Sequence, residues 1–170
     1  RPTKERILYD ANRGFTRQQA LRVMQATEQW KVMFEQPCET LDDIAAIRSL
    51  HSAPVSVDEC LVTLQDAVRV ARDGIAEVFG IKLNRVGGLT KASRIRDIAL
   101  AHGIDIFVMA TGGSVLADTE ALHLAATIPD ANMLGVWACQ DMITAEIADG
   151  AGPRAMKGHL HLPEQPGLGV

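Results

Sequence analysis

Short apolar runs that end in a charged residue recur along this chain at nearly constant spacing. The charged residues are Asp10, Glu35, Asp58 and Lys82, which are separated by 25, 23 and 24 positions. A segment with the apolar periodicity of a helix follows each run. Regular alternation of strand and helix is typical of a parallel β-sheet with right-handed crossover connections. The sequence therefore predicts an α/β fold.

We predict six strands and five helices. The predicted strands cover residues 7–9, 32–34, 55–57, 77–81, 104–109 and 133–137. A repeat of this length suits a (β/α)8 barrel, whose units average about 30 residues. Six units are too few to close eight strands, so the chain forms either an open sheet or the C-terminal part of a larger barrel. We favour the second interpretation because the chain starts directly at a strand.

Composition excludes several classes of protein. The 170 residues are 47% hydrophobic and 22% charged, which excludes a disordered chain. A formal charge of −4 argues against nucleic acid or an anionic membrane as a partner. No apolar run approaches the roughly 18 residues that span a bilayer. Three cysteines without metal-site spacing indicate free thiols and a cytoplasmic location.

The polar residues at the strand ends predict a metal site. Ligands of α/β proteins lie at the carboxyl ends of the strands, and Asp10, Glu35 and Asp58 would converge there. Three carboxylates at one place repel one another unless a cation lies between them, and oxygen ligands favour Mg²⁺ or Mn²⁺. A cation near Lys82 would favour its neutral form, which can act as a base. The alternative is that each carboxylate merely caps the following helix.

The segments around these residues resemble the enolase superfamily. They are Asp10-Ala-Asn, Glu35-Gln-Pro, Asp58-Glu and Lys82-Leu-Asn followed by Gly87-Gly. Within that superfamily they are similar to the mandelate racemase and muconate lactonizing branch. The resemblance implies the last six β/α units, strands three to eight, of a modified TIM barrel. The first two strands and the N-terminal capping domain would be absent.

The same resemblance implies roles for the residues at the strand ends. Asp10, Glu35 and Asp58 would bind one Mg²⁺, with Mn²⁺ as a substitute, and Lys82 would be the catalytic acid/base. Members of the family remove the proton next to a carboxylate through an enediolate. The substrate would be a small carboxylate or amino acid, and the full-length protein a homo-oligomer. Residues 1–152 would form the barrel part, and the tail 153–170 would pack against the capping domain.

Two loops carry the prediction of substrate. Residues 109–115 and 137–141 resemble the cis-3-hydroxy-L-proline dehydratases, a group within that branch, which dehydrate their substrate to a pyrroline carboxylate. The predicted substrate contacts are Asn84, Thr111, Gly112, Trp137 and Asp141, while Asn12 and Glu59 would support the metal ligands. Simpler interpretations are that Trp137 belongs to the barrel core, that Asp141 caps a surface helix and that the glycines only form a turn.

Other functions remain open at this point. The same branch contains racemases and epimerases of the proline-betaine and dipeptide types. Lys82 could instead form a Schiff base with a carbonyl substrate, although that mechanism leaves the three carboxylates unexplained. The family also places a Lys-x-Lys motif upstream of Asp10, where this chain has only nine residues. We therefore expect the 170 residues alone to lack full activity. A further alternative is an inactive fragment that only binds metal.

Overall fold

The computed structural model describes residues 7–139, 142–145, 148, 152–153 and 155–169. Its internal contacts divide the chain into two units, residues 1–79 and 80–170, and each unit is described by itself. The predicted division between residues 152 and 153 stays a prediction. Asp141, one of the predicted substrate contacts, lies outside the described residues.

The six predicted strands are present, and each predicted boundary lies within one residue of the observed one. They are β1 (Leu8–Asp10), β2 (Met33–Glu35), β3 (Val55–Val57), β4 (Val78–Lys82), β5 (Asp105–Met109) and β6 (Met133–Trp137). The strands follow one another in chain order, and β4 begins in the first unit and ends in the second. The registered neighbours, β1 to β4 and then β5 with β6, are parallel. The predicted α/β class is therefore confirmed.

The five predicted helices are also present, together with a short one that was not predicted. They are α1 (Arg17–Thr27), α2 (Leu41–Arg48), α3 (Leu64–Asp73), α4 (Leu83–Val86), α5 (Leu89–Ala101) and α6 (Val115–Ala125). The unpredicted helix is α4, which follows β4 directly and ends at Gly87 with a φ of 90°. A single helical turn is too short to show apolar periodicity. No helix in the described part of the chain is long and apolar enough to cross a membrane.

In the first unit, three helices begin at a threonine that caps them. The side chains of Thr16, Thr40 and Thr63 accept hydrogen bonds from the third residue of α1, α2 and α3, respectively. Each cap satisfies a backbone N–H that the helix itself leaves unpaired. The caps fix where each helix starts after the loop that follows its strand, and these loops carry the predicted site.

Apolar side chains from strands and helices fill the interior of each unit. In the first, every residue of β3 is buried, as the inner strand of a parallel sheet requires. In the second, α5 buries Ala92, Ile95 and Ala99, which recur at helical spacing. The polar loops at the carboxyl ends of the strands therefore connect strands and helices that are packed in the core of each unit.

Candidate functional site

Strand register brings the three predicted metal ligands to one face of the sheet in the first unit. Asp10 is paired with Glu35, and Glu35 is paired with Ser56. Paired residues of parallel strands direct their side chains to the same face, and that face recurs every second residue. Asp58 lies two positions after Ser56, directly beyond the last residue of β3, where continued alternation would direct it to the same face. The three carboxylates thus lie at the carboxyl ends of three neighbouring strands.

The environments of the three carboxylates differ. Asp58 is fully buried and Glu35 is 3% exposed, whereas Asp10 is exposed. The Asp10 carboxylate accepts a hydrogen bond of 2.9 Å from the backbone N–H of Asn12. Asn12 therefore contacts the Asp10 side chain through its backbone, and its supporting role at a metal site stays a prediction. Glu59, the other predicted supporting residue, is half-buried directly after Asp58.

These residues fit Mg²⁺ in chemistry and in strand register. Carboxylate oxygens are the ligands that this cation prefers. The Ser56 hydroxyl, in the same row, is buried and has no hydrogen-bond partner among the described residues, so that face retains unsatisfied polar capacity. In the described part of the chain, however, no three Asp, Glu, His or Cys side chains are gathered as a metal-ligand group.

Gln36, which the sequence did not single out as a site residue, lies at the centre of the loops beside these ligands. Its side chain is fully buried. The amide oxygen accepts hydrogen bonds from the backbone N–H groups of Asp58 (2.9 Å) and Cys60 (3.2 Å). The amide nitrogen donates to the Cys38 carbonyl oxygen (3.0 Å) and to Cys60 Sγ (2.9 Å). The sequence signal was a polar residue next to a predicted ligand, which periodicity alone does not distinguish from a loop residue.

In the second unit, Lys82 is the last residue of β4 and is half-buried. It occupies the N-cap position of α4, so the chain turns into a helix directly after it. Asn84 follows within α4 and is exposed. Lys82 therefore has the position on its strand that Asp10 and Glu35 have on theirs, which agrees with the spacing in the sequence.

The loop between β5 and α6 carries two of the other predicted substrate contacts. Thr111 and Gly112 are both exposed, and Gly112 has a φ of 70°, which glycine adopts without strain. Trp137, the last residue of β6, is 44% exposed. The interpretation of Trp137 as barrel core is therefore not supported by its environment in the described residues.

A buried pair that the sequence analysis missed anchors the chain after β6. The backbone N–H of Cys139 donates a hydrogen bond of 2.9 Å to the Asp118 carboxylate, and both residues are fully buried. Burial raises the pKa of the Cys139 thiol, while a hydrogen bond with the Gly112 backbone lowers it in part. These contacts connect the loop after β5 with the chain after β6. Asp118 was not predicted as a functional residue because it lies within α6, whose residues are mainly apolar.

Parallel strands followed by polar residues at their carboxyl ends are typical of α/β proteins, which bind ligands at that edge of the sheet. The chain belongs to the enolase C-terminal domain-like family, whose sequence model matches residues 2–170. The predicted resemblance to the mandelate racemase and muconate lactonizing branch is thereby confirmed, because its relatives are enzymes of that branch.

Individual relatives agree with this membership. The cis-3-hydroxy-L-proline dehydratase of Roseibium aggregatum is 33% identical over 96% of this chain and 44% of its own length. A structure from Silicibacter pomeroyi, provisionally described as a mandelate racemase/muconate lactonizing enzyme, is 82% identical with a TM-score of 0.92 and covers 96% of this chain and 45% of that one. The structure of an enolase superfamily member from Roseovarius nubinhibens, complexed with magnesium, is 38% identical with a TM-score of 0.93. The match covers 100% of this chain and 46% of that one.

The chain therefore spans less than half the length of these relatives. Other matching relatives are muconate cycloisomerases and a dipeptide epimerase. The family thus contains dehydratases, cycloisomerases and epimerases, and family membership alone does not select one reaction.

Proposed function

We propose that this chain supplies the metal ligands and a catalytic lysine of a Mg²⁺-dependent lyase. The reaction would remove the α-proton of a carboxylate substrate, and the substrate would be cis-3-hydroxy-L-proline. The proposal concerns the whole protein, because the match with this chain covers only 44% of the length of the Roseibium aggregatum relative. Its closest support in reaction type is the similarity to the Roseibium aggregatum dehydratase.

One observation carries the proposal. The register of β1, β2 and β3 aligns Asp10, Glu35 and the row of Asp58 on one face at the carboxyl ends of the strands. Helix capping does not explain this alignment, because Thr16, Thr40 and Thr63 already cap the helices that follow these strands. Carboxylates at the ends of neighbouring strands are the kind of oxygen ligands that a divalent cation such as Mg²⁺ prefers.

The chemistry follows from charge. When bound, Mg²⁺ would offset the second negative charge that develops on the substrate carboxylate as the α-proton leaves. Asp10, Glu35 and Asp58 would hold the cation. Lys82 would accept the α-proton at its Nζ, so that the carbon–hydrogen bond breaks and its electron pair stays on the substrate.

Dehydration then requires loss of the hydroxyl group on the neighbouring carbon. The electron pair forms a carbon–carbon double bond as the carbon–oxygen bond breaks, and the hydroxide leaves as water after gaining a proton. The cyclic enamine tautomerises to a pyrroline carboxylate. Asn84, Thr111, Gly112, Trp137 and Asp141 stay our predicted substrate contacts, and a cytoplasmic homo-oligomer stays the predicted state of the full-length protein.

The experiment that tests the proposal measures product formation and α-deuterium exchange with cis-3-hydroxy-L-proline in deuterium oxide. The intact protein should release water and a pyrroline carboxylate in the presence of Mg²⁺. Lys82→Met should lower the rate by about 10²–10⁴-fold, which is the rate acceleration that a general base typically contributes. Lys91→Met, which removes an exposed lysine of α5, is the matched control and should retain the rate.

Each alternative gives a different outcome in the same assay. Deuterium incorporation with the hydroxyl group retained would indicate an epimerase and not a dehydratase. Epimerisation is the reaction of a dipeptide-specific relative. Borohydride trapping of substrate on Lys82, with activity unaffected by EDTA, would replace it by Schiff-base chemistry. Magnesium binding by a protein that neither exchanges nor dehydrates any tested amino acid would indicate a non-catalytic metal-binding protein.

A further inference from the structure

The buried amide of Gln36 has all of its hydrogen-bonding positions occupied. A glutamine amide offers two acceptor positions on oxygen and two N–H donors on nitrogen. The oxygen accepts from the backbones of Asp58 and Cys60, and the nitrogen donates to the Cys38 carbonyl oxygen and to Cys60 Sγ. Exchanging the two ends of the amide would place donors against donors, so this orientation is fixed by the four contacts.

The backbone of Gln36 connects the same loops a second time. Its N–H donates to the Ser56 carbonyl oxygen at 2.8 Å, and its carbonyl oxygen accepts from the Arg13 N–H at 2.8 Å. Ser56 lies on β3 two positions before Asp58, and Arg13 lies in the loop after Asp10. One residue therefore joins the loops after β1, β2 and β3, and a predicted metal ligand lies at the start of each loop or directly before it.

Gln36 adopts this position with a strained backbone. Its φ is +37°, in the left-handed region that residues other than glycine seldom occupy, and Pro37 follows it. Such strain persists where the surroundings enforce it, often at functional sites. A residue needed only for filling the loop could be replaced by glycine or asparagine, which adopt this conformation more readily.

We propose that Gln36 is a positioning residue, which holds the backbones of Glu35 and Asp58 at the spacing that Mg²⁺ binding requires. This inference rests on the proposed function, because it assigns Gln36 a role at the same metal site. Gln36 does not act on the cation itself. It acts through the Asp58 backbone N–H and through its own peptide bond to Glu35.

The test is calorimetric titration of the intact protein with Mg²⁺. Gln36→Met keeps the volume of the side chain and removes its four hydrogen bonds. Partners that orient metal ligands contribute about 10–100-fold to metal affinity, and we expect a loss in this range. Ile44→Val shortens a fully buried side chain of α2 and is the control for destabilisation alone. The Mg²⁺ affinity of Ile44→Val should equal that of the wild type, even if its melting temperature falls as far as that of Gln36→Met.

A milder variant keeps the test decisive if Gln36→Met does not fold. Cys60→Ala removes one of the four side-chain contacts and should weaken Mg²⁺ binding by about two- to tenfold, as expected for one neutral hydrogen bond. Wild-type binding with unchanged affinity in the folded Gln36 variant, or in Cys60→Ala when the former does not fold, would overturn the inference alone. Absence of Mg²⁺ binding by the wild-type protein would overturn the proposed function and, with it, the inference.

Discussion

Individual residues near the site have properties that composition does not reveal, and the Cys38 thiol is an example. Burial and, to a smaller extent, the nearby Asp43 carboxylate raise its pKa to about 11, while Arg17 opposes part of that rise. At pH 8 about one Cys38 thiol in a thousand would then be ionised, against about one in four for an ordinary cysteine. Because the thiolate is the reactive form, Cys38 should resist alkylation.

We predict that iodoacetamide at pH 8 modifies Cys38 at least about 200-fold more slowly in the native protein than in guanidinium, the ratio of those ionised fractions. Peptide mass spectrometry after timed quenching gives both rates. The native rate should rise about tenfold for each pH unit while the thiol stays mostly protonated. Equal rates in native and denatured protein would show that the Cys38 environment is not the one described.

At the scale of single elements, the threonine caps make a direct prediction for α3. Thr63 Oγ1 accepts the Asp66 N–H at 3.1 Å, and the Asp66 carboxylate accepts the Thr63 N–H at 2.8 Å. Thr63→Ala removes the first contact and should lower the free energy of unfolding by about 1 kcal/mol. Because Thr63 is exposed, no cavity contributes to the loss. Denaturant unfolding measures the change.

Thr63→Ser is the matched control for this cap, since its hydroxyl can accept the same N–H. The serine variant should retain most of the stability that the alanine variant loses. A serine variant as unstable as alanine would attribute the effect to the lost methyl group and not to the cap. Neither substitution should alter Mg²⁺ affinity, because Thr63 takes part in none of the Gln36 hydrogen bonds described above.

The sequence predicted those elements whose signal is periodic. The strands are short apolar runs that end in Asp10, Glu35 and Lys82, and the structure places these three residues at the last position of their strands. Helix α4 escaped prediction because four residues complete barely one turn. Gln36 escaped because its importance lies in contacts with residues about 20 positions away, which no local pattern encodes.

At the scale of the whole molecule, the fold and the choice of reaction depend on different parts of the chain. The repeat of strand and helix predicts the fold, whereas the predicted class of chemistry depends on the residues at the strand ends. In the proposed function, substrate choice would depend on loops such as the one containing Thr111 and Gly112, which are both exposed. Relatives with different reactions match nearly the whole of this chain, so the match itself does not select a substrate.

Magnesium should stabilise the intact protein if Asp10, Glu35 and Asp58 bind it in the folded state only. A ligand at 100 times its dissociation constant adds about 2.7 kcal/mol to the free energy of unfolding. We predict that EDTA lowers the melting temperature and that excess Mg²⁺ restores it, as followed by calorimetry. Asp58→Asn should melt at the same temperature with and without Mg²⁺, because a neutral amide replaces a charged ligand at a fully buried position.

The control for this substitution is Asp130→Asn, which removes the same charge from an exposed turn in the second unit. Its melting temperature should respond to Mg²⁺ as the wild type does, since Asp130 is not one of the predicted metal ligands. An equal response of Asp58→Asn and the wild type would mean that Mg²⁺ stabilises the protein from another site. The buried carboxylate at the end of β3 would then need a different explanation.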